Sequence, residues 1–556
     1  MLRRLFRQWR RRRIDPVELL GRGDECLARG DLQGAIEAYR AAHAREPANA
    51  DACNRLGLAL QRGGRLAEAA AAFRAALALV PAETALRNNL GTVLRLAGDI
   101  DGAANEYRAA AAQAPEDALS RFNLAVLEQK LGRADAAVPL LRRLLHEQPD
   151  RREFALALAQ ALNFSSLFDD PSSVDVYRAA AAALVRGVGA MPRNATRPAE
   201  PLRVGYLSPD FRNHPVMHFI EPVLAAHDGG AVTVFCYDDV ERADAWTARL
   251  DALPVVRRRV AGLDDAALAG RIAGDALDLL VDLAGLSTGG RPGVLARRPA
   301  RVQAGYLGYL NTSGLAALDW RITDRVADPP GTAERYYTER LAYLPGCQWL
   351  MTAPAEAGAC TPSPCQRNGW PTIGAAHNFA KVNPGVLAAW AAAAAAVPGA
   401  RVALAGIPVG SARARVMDAF AAAGIGPERV AVFPGMPRAD YYRFLSTLDV
   451  ALDAFPYAGG TTTCDALWMG VPVVTLAGRH GSARSAASLL SAAGMEQCIA
   501  HSLPEYVAIC TRLCADREGL AHLRANLRRR LADSPLMDVR GFVSGLESLY
   551  REIAAA

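Results

Sequence analysis

Lysine is nearly absent from this sequence. Lys130 and Lys381 are the two lysines among 556 residues, so 61 of the 63 basic residues are arginines. A skew of this size is typical of coding bias, and it makes each lysine worth inspecting. An excess of one charge sign is also missing, because the formal net charge is +6, and composition alone therefore does not indicate a nucleic-acid-binding protein. Hydrophobic residues make up 51% and charged residues 22% of the chain, which excludes a largely disordered protein.

Sequence signals of several common protein classes are missing as well. No apolar run of about 18 residues is present, which excludes a membrane-spanning helix. The ten cysteines form no C-x2-C pair, so we expect free thiols in a reducing cytoplasm and no metal site. Neither G-x-G-x-x-G after a first strand nor G-x-x-x-x-G-K-[ST] occurs, which argues against a dinucleotide-dependent dehydrogenase and against a P-loop enzyme.

The chain begins with the segment MLRRLFRQWRRRR, which carries seven arginines. This segment lacks the apolar stretch of a signal peptide. We interpret residues 1–15 as a basic tail exposed to solvent. The alternative is a segment that lies on an anionic membrane surface.

The N-terminal region repeats with a period of 34 residues. Prolines, glycines, alanines and mostly aromatic residues recur with this spacing: Pro47, Pro81, Pro115 and Pro149; Gly30, Gly64, Gly98 and Gly132; Ala35, Ala69, Ala103 and Ala137; and Tyr39, Phe73, Tyr107 and Leu141. The period and the pattern match the tetratricopeptide repeat, in which two antiparallel helices pack through small residues while an aromatic ring fills the gap. We predict four such repeats over residues 16–150, stacked into a superhelix with a concave face.

The concave face of such repeats usually binds peptides, so protein substrates are the expected partners. Asn89 and Asn123 occupy one repeat position, where their amides would bind a peptide backbone. Ordinary surface polarity is the alternative interpretation of these two residues. Residues 151–200 continue as helix and end in a turn-rich stretch, which predicts a linker into a different kind of domain.

From residue 201 onward, short β-rich runs alternate with helices. RVGYLS, VTVFCYD, LDLLVDLAG and VQAGYLG are the predicted strands of a first unit, and PTIGAA, RVALAGI, RVAVFPG, VALDAF and PVVTLAG are those of a second. We predict two doubly wound, Rossmann-like lobes at residues 201–365 and 366–535, and a C-terminal helix at 536–556. Ligands bind at the carboxyl edges of such sheets, so we expect a binding cleft between the lobes.

Five segments of this α/β region carry a family resemblance: RVGYLSPDFRNHPVMHFIEPVL, LDLLVDLAGLSTGGR, RPARVQAGYLGYLNTSGLAALDWRITD, HNFAKVNP and LDAFPYAGGTTTCDALWMGVPVVTLAG. In this order, and behind tetratricopeptide repeats, they resemble the O-GlcNAc transferase/SPINDLY-type glycosyltransferases of family 41. The resemblance implies a two-lobed GT-B catalytic region. It also implies inverting transfer of a sugar from a nucleoside diphosphate to a hydroxyl group, without a metal or another cofactor.

A threonine-rich segment indicates a phosphate site from its residues alone. Thr461, Thr462 and Thr463 follow a strand and two glycines and lead into a helix, so hydroxyl and backbone N–H groups gather at a helix N-terminus. An ordinary threonine cap is the alternative. The resemblance implies further donor contacts: Lys381 and Asn378 at the diphosphate, Arg438 and Asp465 at the ribose, and Tyr441 stacked on the base.

His214, in the segment DFRNHPVMH, is implied by the resemblance to lie near the acceptor hydroxyl. An imidazole has a suitable pKa for proton transfer, so His214 would act either as a base or as a positioning group. The alternative is a structural histidine that caps the following helix. We expect His218, one helical turn further on, to serve in packing.

Some positions depart from the animal-type pattern of the family. Gly460 stands in the place of a histidine, Phe444 in the place of an arginine, and Leu286 where many relatives have a histidine. These changes leave the phosphate-binding residues intact and affect the base and the sugar instead. UDP-GlcNAc is therefore the expected donor, with GDP-fucose as the alternative. A repeat scaffold with inactive lobes is a third reading, opposed by the intact lysine, threonines and His214.

Overall fold

The computed structural model describes residues 15–192 and 200–556. All but the last residue of the predicted basic tail lies outside the described residues, and so do residues 193–199 of the predicted linker. The chain divides into two compact units, the residues up to 128 and residues 129–556.

The first unit is built from antiparallel helix pairs. Its helices are α1 (Pro16–Ala28), α2 (Leu32–Arg45), α3 (Ala50–Arg62), α4 (Leu66–Leu79), α5 (Thr84–Leu96), α6 (Ile100–Gln113) and α7 (Ala118–Lys130), whose last two residues belong to the second unit. The turn within each pair contains a glycine with left-handed backbone, and φ is +77° at Gly30, +71° at Gly64 and +85° at Gly98. Other residues rarely adopt this conformation, which explains why glycine recurs at this position.

The aromatic residue of each second helix packs directly on a glycine of the first helix. A Cβ atom at Gly57 would lie 2.7 Å from the Phe73 ring, and one at Gly91 would lie 2.6 Å from the Tyr107 ring. Both rings are buried, so they fill the space that the missing side chains leave open. The packing of small and aromatic residues predicted from the period is the packing observed.

The second unit begins with further helices. They are α8 (Ala134–Glu147), α9 (Arg152–Leu162), a 3-10 turn (Ser166–Asp169) and α10 (Ser173–Leu184). Gly132, before α8, again has a left-handed backbone with φ of +69°. The helical character predicted for the segment after residue 150 is therefore observed up to residue 184.

A first parallel sheet follows, with seven strands in the order β3-β2-β1-β4-β5-β6-β7. The strands are β1 (Leu202–Ser208), β2 (Val232–Asp238), β3 (Val256–Arg259), β4 (Leu279–Asp282), β5 (Val302–Gly305), β6 (Trp320–Thr323) and β7 (Arg340–Tyr343). The helices between them are α11 (Pro215–Ala226), α12 (Ala245–Arg249), α13 (Asp265–Gly274) and α14 (Pro292–Ala296). The strand order reverses between β1 and β4, which is the topological switch point of a doubly wound sheet.

A second parallel sheet has six strands in the order β10-β9-β8-β11-β12-β13, with its switch point between β8 and β11. The strands are β8 (Thr372–Ala376), β9 (Arg401–Ala405), β10 (Val430–Val432), β11 (Val450–Leu452), β12 (Val473–Leu476) and β13 (Ile499–Ala500). The helices are α15 (Pro364–Asn368), α16 (Pro384–Ala395), α17 (Ser411–Ala422), α18 (Arg438–Ser446), α19 (Thr461–Trp468), α20 (Gly481–Ala492), α21 (Leu503–Ala515), α22 (Arg517–Ala532) and α23 (Val539–Ala555). The prediction of two Rossmann-like lobes is confirmed.

Four strands were not predicted from the sequence: β3, β6, β7 and β13. Three of them are edge strands, and β3 reads VRRR while β13 has two residues. The four strands have two to four residues each, and β3 and β7 are also partly solvated, so they lack the continuous apolar run by which the other strands were recognised.

The C-terminal helix α23 packs on the first lobe although it follows the second in sequence. His227 Nδ1 lies 2.9 Å from Glu547 Oε1, and the hydroxyl groups of Tyr206 and Tyr550 are 2.8 Å apart. Residues 536–556, predicted as a separate segment, thus complete the first lobe. In the described part of the chain, no helix is both long and apolar enough to cross a membrane.

Candidate functional site

The candidate residues follow strands at the two switch points. His214 comes after β1 in the first lobe, and Lys381 comes after β8 in the second lobe. The threonine segment opens α19, which follows β11, the neighbour of β8 across the second switch point. At a switch point, the loops that follow two neighbouring parallel strands run to opposite faces of the sheet. They leave a crevice at the carboxyl edge of the sheet, where ligands bind in such folds.

Lys381 ends a 3-10 turn (Phe379–Lys381) and is held by the loop that precedes α19. Its Nζ donates a hydrogen bond to the carbonyl oxygen of Ala458 at 3.0 Å and lies 4.3 Å from the centre of the Tyr457 ring. Burial lowers the pKa of Lys381 to about 8, and the nearby negative charge of Asp453 opposes this shift. The structure therefore holds one compact cation in a partly desolvated position at the switch point.

Asp453 organises this loop, although no sequence motif indicated it. The fully buried carboxylate accepts hydrogen bonds from Gly459 N at 2.8 Å, from Ala454 N at 2.9 Å and from Thr475 Oγ1 at 2.7 Å. It joins the end of β11 to the start of the turn before α19. The available signal was its position directly after the strand VAL, where polar residues of parallel sheets gather.

The three threonines lie in two different environments. The hydroxyl groups of Thr462 and Thr463 are shielded from solvent and have no hydrogen-bond partner in the described part of the chain. Gly459 lets the loop approach them, because a Cβ atom there would lie 2.9 Å from Thr462 Oγ1 and 3.0 Å from Asp453 Oδ1. No side chain caps α19 at Gly460. An uncapped helix N-terminus with unpaired hydroxyl groups has the chemistry expected of a phosphate site.

Arg438 and Asp465 are connected through Tyr442, a residue that the sequence analysis missed. Arg438 Nη2 donates to the Tyr442 hydroxyl at 2.8 Å, and this hydroxyl donates to Asp465 Oδ1 at 2.9 Å. Burial raises the pKa of Asp465, and the Tyr442 hydrogen bond and the Arg438 charge oppose this shift. The two predicted ribose contacts thus belong to one polar chain between α18 and α19.

Arg438, Thr461 and Asp465 line one pocket of about 120 Å³. The first lobe contributes the other wall, which includes His218 and Trp246. This pocket lies between the two lobes, where a binding cleft is predicted for two doubly wound lobes.

Tyr441 and Asn378 do not line the pocket of Arg438. Tyr441 lies with Thr462 and Thr463 around a nearly filled cavity of about 10 Å³ at the ends of β8 and β11. Its ring centre is 5.4 Å from that of Tyr442. The exposed Asn378 caps the 3-10 turn of Lys381 by accepting from Ala380 N at 3.1 Å. Base stacking by Tyr441 and phosphate binding by Asn378 stay predictions.

His214 caps α11, which is the structural alternative considered for it. Its Nδ1 accepts a hydrogen bond from Val216 N at 3.3 Å and lies 3.5 Å from Asp210 Oδ2. Burial lowers its pKa, and Asp210 opposes this effect. A neutral imidazole that accepts at Nδ1 carries its proton on Nε2. Catalysis as a base would therefore need the other tautomer, with Nδ1–H directed at Asp210 and the Nε2 lone pair free.

His218 takes part in the pocket and does not serve in packing alone. Its Nε2 lies 3.5 Å from Arg438 Nη1, and its ring makes an edge contact with Trp246 at 4.3 Å. Burial and the adjacent Arg438 charge lower the pKa of His218 to about 4. His218 is therefore a neutral acceptor for the guanidinium group at neutral pH.

In the first unit, the two predicted peptide-binding asparagines make bonds between repeats. Asn89 Nδ2 donates to Asn54 Oδ1 at 3.2 Å, and Asn123 Nδ2 donates to Asn88 Oδ1 at 3.0 Å. Both side chains are half-buried. These amides align along successive repeats, and a contact with a peptide stays a prediction.

The family of the chain follows from a model described as Glycosyl transferase family 41, which matches residues 184–352 and 375–546. The chain belongs to glycosyl transferase family 41. Two tetratricopeptide-repeat models match residues 20–84 and 94–161. Both the family and the repeats predicted from the sequence motifs are confirmed.

Two plant proteins are similar to about two thirds of this chain. The probable UDP-N-acetylglucosamine–peptide N-acetylglucosaminyltransferase SPINDLY of Petunia hybrida is 38% identical over 367 residues, which cover 65% of this chain and 39% of that protein. The SPINDLY protein of Oryza sativa subsp. japonica is 39% identical over 369 residues, with the same two shares. The chain thus spans about two fifths of the length of these curated relatives.

A solved structure is similar to nearly the whole chain. It is a lysine-to-methionine mutant of the Thermobaculum terrenum O-GlcNAc transferase, with a TM-score of 0.76 and 33% identity over 97% of both chains. The predicted order of helical repeats followed by a GT-B region is confirmed by this match.

Lys381 leads to an expected pH dependence. Below a pH of about 8 the amine is protonated, and above it the amine becomes neutral. If its charge stabilises a bound diphosphate, kcat/KM for donor cleavage will fall as the pH rises through about 8, because kcat/KM reports the pKa values of the free enzyme. This fall forms the alkaline limb of the pH profile of kcat/KM. In the variant Lys381→Arg the alkaline limb will be absent, since a guanidinium group stays charged. A limb near the pKa of an exposed lysine, about 10.4, would contradict the assignment.

Proposed function

We propose that this member of family 41 is a protein O-glycosyltransferase that transfers GlcNAc from UDP-GlcNAc to Ser or Thr hydroxyl groups. The acceptor oxygen attacks the anomeric carbon, the bond from that carbon to the diphosphate oxygen breaks, and the hydroxyl proton leaves to a base. A single displacement of this kind inverts the anomeric centre. The free state of all ten cysteines supports a cytoplasmic enzyme.

One observation carries the proposal: Lys381 and the uncapped N-terminus of α19 meet at the same switch point. The lysine ammonium group donates to Ala458 O, three residues before α19 begins. Negative charge grows on the diphosphate as the glycosidic bond breaks, and preorganised donors stabilise such charge. In this proposal the lysine and the helix terminus supply the stabilisation that a metal ion supplies in other transferases.

His214 would act near the acceptor in this reaction. His214 follows β1 at the switch point of the first lobe, across the cleft from the residues that we propose to bind the donor. In the tautomer with Nδ1–H directed at Asp210, Nε2 accepts the proton of the attacking hydroxyl. In the tautomer that caps α11, Nε2 carries the proton and can only donate. A role as base therefore requires the hydrogen bond from Nδ1–H to Asp210.

The test is cleavage of a panel of sugar nucleotides by the purified protein, with and without a chelator. We expect turnover of UDP-GlcNAc above that of other donors, and the same rate in the presence of the chelator. Lys381→Ala serves as the inactive reference. No cleavage of any donor would favour the scaffold interpretation, and a rate abolished by chelation would contradict metal independence.

A guanine nucleotide such as GDP-fucose is a second candidate donor. Glu356 lines the pocket beside Arg438, with its Oε2 3.4 Å from Arg438 Nε. An ionised carboxylate only accepts hydrogen bonds, and guanine offers adjacent N–H donors on one edge, whereas the single imide N–H of uracil lies between two carbonyl groups. Glu356→Gln would lower affinity for GDP if this contact exists. Unchanged GDP affinity, together with UDP-GlcNAc turnover, would remove the candidate.

The asparagines of the repeats give a separate prediction about the acceptor. In the double variant Asn89→Ala/Asn123→Ala, KM for a protein acceptor should rise about tenfold or more, which corresponds to losing hydrogen bonds of about 1 kcal/mol each. Donor hydrolysis should be unchanged, because these residues belong to the first compact unit. The measurement compares transfer to a protein with transfer to water. Equal loss of both activities would show that the asparagines support the structure alone.

A further inference from the structure

An open groove runs across the outer half of the second sheet, away from the residues that hold Lys381. It is lined by α15, by β9 and β10 together with the start of β8, and by the α18 face that carries Phe444, and its volume is about 770 Å³. We call it the β10 groove. Three neighbouring strands span about 10 Å, which is the diameter of an α-helix with its side chains.

The floor of the β10 groove is apolar and partly open to water. Trp370 is 37% exposed and Phe433 is 41% exposed, which makes both of them unusual among the large apolar side chains of the described chain. Phe433 makes an edge contact with the buried Phe444, with 5.8 Å between the ring centres. A rigid aromatic surface of this kind marks an interaction site more often than a scattered apolar residue does.

Three of the four arginines that line the β10 groove have no ion-pair partner in the described part of the chain. Within residues 15–192 and 200–556, no carboxylate lies within ion-pair distance of Arg367, Arg401 or Arg429. Arg401 donates to the carbonyl oxygen of Glu428 at 3.4 Å and its guanidinium group covers the Trp370 ring at 4.5 Å. Arg429 donates from Nε to Ala400 O at 2.8 Å, while its Nη2 is shielded from solvent and has no hydrogen-bond partner.

The acidic residues of the rim do not neutralise this charge. Asp440 pairs with Arg443, the fourth arginine of the lining. Glu428 offers its main-chain oxygen to Arg401 and makes no ion pair in the described part of the chain. The rim therefore carries four arginines against two carboxylates, and an occupant with negative charges would satisfy the unpaired guanidinium groups.

We propose that the β10 groove docks an acidic amphipathic helix of a partner protein. Its apolar face would lie on Trp370 and Phe433, and its carboxylates would pair with Arg367, Arg401 and Arg429. In doubly wound sheets helices cover both faces, so the partner helix would occupy the position that a helix of the chain itself takes elsewhere. The groove thus adds a recruitment surface to the transferase, independent of donor binding.

The test is selection of peptides of about 16 residues, roughly four helical turns, from a random display library against the full chain. We expect the selected peptides to be enriched in Asp and Glu and to carry apolar residues at i, i+3, i+4 and i+7. Their affinity should fall with rising salt concentration. Selected peptides without acidic enrichment would overturn the proposal.

Two variants locate the binding site. Arg401→Glu and Phe433→Asp should each weaken the selected peptides by about tenfold or more, and neither should change donor hydrolysis. Arg413→Glu is the matched control, because Arg413 is an exposed arginine of α17 that does not line the groove. Equal peptide affinity in Arg401→Glu and in wild type would overturn the proposal. The proposal would also be overturned if ATP displaced the peptides from the wild-type protein and no longer bound to Arg401→Glu, since the groove would then be a nucleotide site.

Discussion

Replacing Lys381 by alanine is expected to lower kcat for sugar transfer by about 10²–10³-fold, the usual cost of removing one preorganised donor to a developing oxyanion. Lys381 is half-buried and donates to Ala458 O beside the N-terminus of α19. Charge on the diphosphate grows as the glycosidic bond breaks, so most of the contribution of Lys381 belongs to the transition state. Donor affinity should fall less, because the helix terminus still binds the ground-state diphosphate. Steady-state kinetics and a binding isotherm for the nucleoside diphosphate separate the two effects.

Two further variants make the Lys381 experiment specific. Lys381→Arg should restore little activity, because the guanidinium fork is larger and its donors diverge. Lys130→Ala removes the other lysine, which is exposed on α7, and should leave kcat unchanged. Full activity in Lys381→Arg would show a general electrostatic role. Wild-type turnover in Lys381→Ala would remove Lys381 from the site.

Replacing Asp453 by alanine should give the largest loss of stability, about 3–5 kcal/mol. The carboxylate is fully buried and accepts three hydrogen bonds, from Gly459 N, Ala454 N and Thr475 Oγ1. Its removal leaves these donors unpaired and takes away the negative charge that supports protonated Lys381. The denaturation midpoint of the α/β region, measured by calorimetry, should fall by roughly 10 °C. The pKa of Lys381 should also fall, which moves the alkaline limb of kcat/KM to lower pH.

Asp449 provides the matched control for Asp453. It is also buried, and it accepts from Cys365 N at 3.0 Å and Thr372 N at 2.9 Å at the start of β8, remote from Lys381. Asp449→Ala should therefore destabilise the protein and leave the alkaline limb in place. If both variants moved the limb equally, the shift would come from destabilisation and not from the charge beside Lys381.

Local patterns were sufficient for most of the architecture. The 34-residue period identified the helix pairs, because each glycine turn and each buried ring recurs in the sequence at the spacing of the structural unit. All nine strands predicted for the two lobes are present, because strands buried on both faces read as continuous apolar runs. The strands β3, β6, β7 and β13 were missed, because short strands at or near a sheet edge contain too few apolar residues to form such runs.

Local sequence patterns predicted only part of the candidate site. Sequence motifs placed Lys381, His214 and the threonine segment after strands, and the parallel sheets bring these strand ends to the switch points. The motifs did not reveal Asp453 or Tyr442, because each of them also connects to a partner that is distant in sequence. Tyr442 meets Asp465 across 23 positions, and Asp453 meets Thr475 across 22.

The order of the amino acids is enough to predict the period of the repeats, the two doubly wound lobes and the residue types at the switch points, because each of these depends on residues within one repeat, one strand or one loop. Which side chains share an environment is visible only after the chain has packed. Thr461 lines a different cavity from Thr462 and Thr463, and His218 lines the pocket of Arg438. The helix α23 packs on the first lobe, although it follows the second lobe in sequence. Burial also lowers the pKa of Lys381 to about 8. Burial and charge at a point in space are sums over groups from many chain segments, so they exist only after the segments have packed.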